Sequence, residues 1–267
     1  MSIPYSLLHD FGPAAAHGFL GFTASIDGTF ALLAHPGAPG RPLLFTLRDG
    51  KERAISVARD IQIPPLPLGV DFLQMLSGRS GDLTQWQILD QRGVVDREAL
   101  PAAGSRTYRR HLVTNKGIVR LICERRVIAA QLDGSVISAV GAAERDVANF
   151  KRVAAVNAID DDVWFVADGH RFVRWGDRAV LEVWRGAPNA VAFAFMGDSA
   201  LFCTFTRVGT GPDASSTATL QRAHLRHDHT LALDEQRPLH ASTWRGAVGV
   251  GRRLYLCDGQ RVFVVDG

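Results

Sequence analysis

Short apolar runs rich in β-branched and aromatic residues recur along the chain, at 29–34, 70–76, 118–123, 163–167, 200–205 and 253–257. Each is followed by a second run that ends in a tight turn: Leu47-Arg48-Asp49-Gly50, Leu89 to Gly93, Leu132-Asp133-Gly134, Trp175-Gly176-Asp177, Arg226-His227-Asp228 and Val265-Asp266-Gly267. Apolar runs of four to eight residues bounded by Asp, Gly and Asn are strand signals. Asp-Gly between two such runs marks a hairpin, because glycine reaches positive φ without steric cost. Helical spacing finds one stretch only, Glu144 to Val153, where Val147, Phe150 and Val153 share a face, and the same residues read equally as a link between strands.

The runs repeat about every 45 residues, the length of a propeller blade of four short strands. The expected architecture is therefore all-β, a six-bladed β-propeller forming a single domain, with blades at 18–58, 59–103, 106–141, 150–184, 188–235 and 241–267 plus 3–9. The fourth unit is the clearest, with strands at 152–159, 163–167, 171–175 and 179–184. The sixth repeats its core, since Asp168-Gly169-His170-Arg171 aligns with Asp258-Gly259-Gln260-Arg261. The last unit has only three strands, whereas the chain begins with a strand-like stretch, Ile3 to His9. The N-terminal strand is expected to close the C-terminal blade as its outermost strand, where Pro4 is tolerated and an open sheet edge is removed. The inner strand of the second unit must come from Ile61 to Pro67, whose three prolines predict a short or irregular strand. A two-sheet sandwich shares the short strands and turns, but not the period.

Composition adds limits. With 46% hydrophobic and 21% charged residues the chain reads as an ordinary globular protein, and no apolar run is long enough to span a bilayer. The N-terminus lacks the basic residues of a secretion signal, so a cytoplasmic location is expected, with no membrane partner. Thirty basic against 27 acidic residues give a net charge of +3, too even to call for nucleic acid. Only Lys51, Lys116 and Lys151 among the basic residues are lysines, a bias that a GC-rich bacterial genome explains. Cys123, Cys203 and Cys257 are odd in number and set among apolar residues, as buried reduced thiols are.

Candidate chemistry is sparse. In a blade, the loop between strands two and three shares a face with the linker to the next blade, and that face is where a ligand is expected by analogy of fold. It would carry His35 to Arg41, Asp168 and His170, Gly209 to Thr217, Asp258, and linkers holding Trp184-Arg185 and Trp244-Arg245. The candidate binding residues are thus His35, Arg41, Asp168, His170, Trp184, Arg185, Trp244, Arg245 and Asp258. Trp-Arg-Gly-Ala occurs twice, and an indole beside a guanidinium suits a carboxylate, a sugar ring or a partner's anchor. Packing of both tryptophans between blades is the competing reading. Of the cluster His224 to His229, alternation puts only His227 and His229 on one face, and Asp160-Asp161-Asp162 lacks the spacing of a calcium loop, so no metal site is expected. The stretch Arg106 to Arg126 holds six arginines and Lys116 against Glu124, but alternation splits them over two faces. No nucleophile elbow and no glycine-rich phosphate loop before a helix is present, and no catalytic residue or cofactor is assigned.

In its Asp-Gly turns, four-strand units and terminal strand closure the chain resembles six-bladed β-propellers as a broad class, without the Gly-His and Trp-Asp pairs of WD40 repeats or the paired glycines of kelch units. The resemblance implies a non-enzymatic binding protein whose loops engage a protein partner, as an inhibitor, an immunity-type binder or a scaffold subunit. Divergence among the repeats argues against a multivalent lectin. The alternative is a metal-dependent hydrolase or lyase with its site at the mouth of the central channel. The six-bladed lactonases ring a divalent cation with acidic and amide side chains, and Asn157 and Asp60 would be the residues to examine, without a local motif to support them.

Overall fold

The computed structural model describes residues 3–16, 18–25, 27–35, 40–58, 61, 64–76, 85–99, 108–113, 119–123, 127–132, 135–140, 153–158, 163–176, 180–208, 215–239 and 244–265. The chain opens with β1 (Ser6–Asp10) and one short helical turn, α1 (Pro13–Ala16). Twenty-three further strands follow among the described residues. They are β2 (Phe19–Ala24), β3 (Phe30–Ala34), β4 (Leu43–Arg48) and β5 (Lys51–Ser56); β6 (Leu66–Leu68), β7 (Asp71–Leu76), β8 (Gln85–Leu89) and β9 (Val95–Ala99); and β10 (Tyr108–Val113), β11 (Val119–Cys123), β12 (Val127–Ala130) and β13 (Val136–Val140). Then come β14 (Val153–Ala158), β15 (Trp164–Asp168), β16 (Arg171–Trp175) and β17 (Val180–Arg185); β18 (Ala192–Met196), β19 (Ser199–Val208), β20 (Ser215–Leu225) and β21 (Leu231–Leu239); and β22 (Gly246–Val250), β23 (Arg253–Cys257) and β24 (Arg261–Val265). Each group of four consecutive strands from β2 to β21 is one antiparallel sheet, and the sixth sheet has the order β1-β24-β23-β22. No helix among the described residues is long and apolar enough to cross a membrane.

The chain divides into two compact units, Phe11–Ala143 on one side and Met1–Asp10 with Glu144–Gly267 on the other. In the second of these, β1 pairs antiparallel with β24, Ser6 facing Val264 and Leu7 facing Phe263, with a register shift before His9. The strand starts at Ser6, later than the Ile3 the pattern suggested. Pro4 lies before it, where a missing N–H costs the ladder nothing. Ile3 is fully buried with Trp244, Leu254 and Val265. Its N–H donates to Glu235 Oε1 at 2.9 Å, its carbonyl accepts from Arg237, and that guanidinium lies 4.7 Å from the Tyr5 ring centroid. Tyr5 meets Phe263 edge to face at 5.9 Å. The first residues are thus anchored by burial, hydrogen bonds and ring contacts as well as by the ladder.

Inside the same unit, β15 is buried along its whole length, as a run of Trp-Phe-Val-Ala demands. Phe165, Phe172, Phe193 and Phe202 fill the space between neighbouring sheets, Phe172 meeting Phe193 at 4.9 Å and Phe202 at 5.2 Å. The buried Asn157 amide spans three sheets. Its Nδ2 donates to the carbonyls of Phe193 and Gly251, each at 2.9 Å, and its Oδ1 accepts the Gly251 N–H at 2.8 Å. Beside it, a Cβ on Gly249 would fall 1.7 Å from the Phe193 carbonyl oxygen, so only glycine permits this approach of two inner strands.

In the other unit, Ala31, Leu33, Leu44, Val57, Ile61, Phe72 and Leu89 pack the first sheet against the second. The proline-rich inner strand β6 has three residues, the shortest among the described strands, in keeping with the loss of donors at Pro64, Pro65 and Pro67. Glu144 to Lys151 and Asp160 to Asp162 lie outside the described residues, and Val153 begins a strand rather than ending a helix.

Candidate functional site

Two of the acidic candidates serve their own hairpins. Asp168 ends β15 with its carboxylate fully buried, and Oδ2 accepts from Arg171 Nε at 3.1 Å and from the same guanidinium's terminal nitrogen. Asp258 repeats this: Oδ2 accepts from Arg261 Nε and Nη2, both at 2.8 Å, and Oδ1 takes the N–H groups of Gln260 and Arg261 at 3.0 and 2.7 Å. The Asp-Gly-x-Arg sequence is therefore a turn in which aspartate caps the bend and arginine clamps it, with Gly169 and Gly259 at φ +58° and +103°. Both carboxylates are engaged within their own hairpins.

The two Trp-Arg pairs split between core and surface. Trp184 sits inside β17, not in a linker, is buried, and tilts onto Phe172 at 6.1 Å; Trp244 is buried against Phe263 at 5.3 Å. Both indoles pack in the apolar space between sheets, the second of the two readings, and leave little of the ring at the surface. The guanidiniums of Arg185 and Arg245 are exposed. The exposed His170 stands at the same end of its sheet as Arg185, its carbonyl accepting the N–H groups of Gly186 and Ala187 at 2.9 and 3.0 Å. Asp168, His170, Trp184 and Arg185 are thus gathered at one sheet end. Arg245 and Asp258 are gathered at another, where the Arg245 N–H donates to the Cys257 carbonyl at 2.8 Å.

Around Arg185 the surface is concave. Its N–H donates to the His229 carbonyl at 2.9 Å, and Arg185 bridges Thr230 at the start of the next sheet's outer strand. Between them runs a groove of about 530 Å³ lined by Val180, Leu181, Glu182, Val183, Arg185, Asp228, His229 and Thr230. β17 is the outermost strand of its sheet, and Leu181 leaves half its surface, 51%, in water. Asp228 shapes the opposite wall: the Thr230 hydroxyl at 2.6 Å and N–H at 3.0 Å both donate to its Oδ1 and hold its carboxyl below the ordinary range. The sequence reading missed Leu181, Asp228 and Thr230. An edge-strand leucine reads as core in a pattern of alternating residues, and nothing local shows that it faces a neighbouring turn.

His227 and His229 lie in the turn after β20, where strand alternation does not apply, and His229 has φ +60°. His224 Nε2 is 3.2 Å from Asp234 Oδ2 and its Nδ1 3.9 Å from Asp198 Oδ1, both on the surface. Among the described residues no three histidine, cysteine or acidic side chains are grouped as metal ligands. The Asn157 amide is committed to backbone groups on both its atoms, so it is not a free ligand. His35 and Arg41 belong to the other unit, His35 partly buried, with its N–H on the Gly18 carbonyl at 2.9 Å, and Arg41 exposed. Residues 36–39 between them, 209–214 of the expected fifth-blade loop, Asp60, and the loops and side chains of the basic stretch 106–126 lie outside the described residues; Ser215 to Thr217 of that fifth-blade loop belong to β20.

No protein-family model and no curated protein sequence matches the chain. Among solved structures it is similar to the WD40 domain of Neurospora crassa Pan2, at 10% identity over 100% of this chain and 97% of that one, with a TM-score of 0.53. It is also similar to BamB from Moraxella catarrhalis, at 12% identity over 93% of this chain and 85% of that one, with a TM-score of 0.49. With the sheets described above, the full-length match to the Pan2 domain gives the chain an all-β propeller fold.

Proposed function

We propose that the chain is a non-enzymatic binding protein, a single domain whose six sheets form one ring of blades latched by the N-terminal strand, and that its outer surface engages a protein partner as an inhibitor, an immunity-type binder or a scaffold subunit. One observation carries this reading: the groove beside Arg185. Its floor is apolar at Val180, Leu181 and Val183, its rim offers both signs of charge at Arg185, Glu182 and Asp228, and it runs along the open edge of β17. An apolar centre with a polar rim is the anatomy of a protein interface, and the part of an outer strand edge that precedes the Arg185–Thr230 bridge can take an extended segment of a partner by backbone hydrogen bonding. Of the two residues named for a metal-dependent hydrolase, Asn157 is engaged by backbone groups on both its amide atoms, and Asp60 lies outside the described residues.

The test is reconstitution. A partner obtained with the full chain is purified and its affinity measured for the wild type and for Leu181→Glu with Arg185→Glu. The partner should bind the variant at least about tenfold more weakly, a loss of about 1.4 kcal/mol, while the melting temperature stays within about 2 °C. Equal affinity for both proteins removes the groove from the interface. Stoichiometric metal in the purified chain, with stabilisation by calcium, magnesium or zinc, would instead support the hydrolase or lyase alternative.

A further inference from the structure

The hairpin β4–β5 carries an arrangement that the fold does not require. In its register Arg48 stands directly opposite Lys51, and Thr46 opposite Arg53. Strand alternation then puts Thr46, Arg48, Lys51, Arg53 and Ile55 on one face of the sheet. That face borders a pocket of about 240 Å³, closed on the other side by Val70 and Phe72 of the second sheet and by Gln91. Like charges directly opposite each other destabilise an antiparallel pair, and three cations line this pocket against one acid, Asp49. Among the described residues neither Lys51 nor Arg53 makes an ion pair. The nearby Asp27 carboxylate accepts from the Ser25 hydroxyl and the Thr29 N–H, and its charge also acts on Arg48. Arg48 is held over the pocket by the bond from its Nε to the buried Thr29 hydroxyl at 3.2 Å, which uses one of its five donors.

We infer that this pocket is an anion site for a phosphate or a small phosphomonoester. Two guanidiniums and an ammonium around one cavity suit a doubly charged tetrahedral anion better than a single carboxylate. The volume lies below the roughly 300–1,000 Å³ of drug-sized sites, which limits the ligand to a small one. The walls at Ile55, Val70 and Phe72 give its organic part an apolar surface. The site belongs to the first two sheets and is independent of the groove beside Arg185.

The experiment is isothermal titration of the full chain with inorganic phosphate and with phenyl phosphate at pH 7.5, each against sodium chloride at matched ionic strength. The same titrations are made on Lys51→Gln with Arg53→Gln, both exposed positions whose removal relieves repulsion and leaves the melting temperature equal or higher. Phenyl phosphate should bind one to one with Kd below about 1 mM, more tightly than inorganic phosphate, and the double variant should weaken both by at least about tenfold. Binding of inorganic phosphate alone, with the same loss in the variant, supports the site with free phosphate as its source. Heats no larger than those of sodium chloride, or equal affinity in the variant, overturn it.

Discussion

The buried amide of Asn157 supplies two donor hydrogens and one acceptor to backbone groups of two other sheets. Asn157→Ala should therefore cost about 3 kcal/mol in urea unfolding, because it strands the Gly251 N–H and the Phe193 carbonyl as buried unsatisfied groups and leaves the Gly251 carbonyl only the Phe195 N–H at 3.5 Å; a cost below about 1 kcal/mol would mean that these groups reach water. Cys203 and Cys257 are buried, and burial pushes the Cys257 thiol up to about 12, with the Gly259 N–H opposing and the Asp258 charge adding to the effect. Neither thiol should react with a disulfide reagent at pH 8 until denaturant unfolds the chain. Asp90 and Asp228 are held below the ordinary carboxylate range, Asp90 chiefly by the Val94 N–H and Asp228 chiefly by the Thr230 hydroxyl. A depressed folded value means that the stabilisation is complete above the unfolded value near 4 and is lost as pH falls through the folded one. The melting temperature should accordingly decline below about pH 4, and Asp90→Asn with Asp228→Asn should flatten that decline in melts taken from pH 5 to pH 3.

At the scale of the hairpin, the Asp-Gly-x-Arg pair shows how one short sequence can be legible as structure without being legible as function. The spacing was legible because turns are governed by local chemistry: glycine at positive φ, aspartate accepting N–H groups ahead of it. Its purpose was not, because whether a carboxylate faces a ligand or its own arginine depends on a side-chain path that no pattern of residue types encodes. Asp168→Ala should cost about 3 kcal/mol, since it leaves a half-buried guanidinium without its partner, and Asp258→Ala less, about 1 kcal/mol, since Arg261 is more exposed. Equal costs in denaturant melts would show that burial does not separate the two turns. The same limit applies to Trp184 and Trp244, where an apolar ring in a repeated tetrapeptide gave no sign of which side it faced. The short β6, by contrast, followed directly from its prolines.

Across the whole molecule, the 45-residue period and the missing fourth strand of the last unit were enough to foresee that the chain's first strand would be found beside its last. What the period could not reveal was the anchoring that precedes the strand. Ile3, between a hydrogen bond to Glu235 and another from Arg237, is a core residue, and isolated apolar residues ahead of a strand carry no periodicity. The groove beside Arg185 was equally hidden, because it is made by an outer strand and a turn 45 residues further on. The proposed ring depends on this latch. The direct measurement is the thermal melt of a chain lacking residues 1–10 beside the full chain. Loss of the buried Ile3, at about 2–3 kcal/mol, together with a complete strand ladder and the Tyr5 contacts, should lower the melting temperature by at least about 10 °C. A truncated chain that melts within about 2 °C of the full one would contradict the latch and, with it, the ring it is proposed to close.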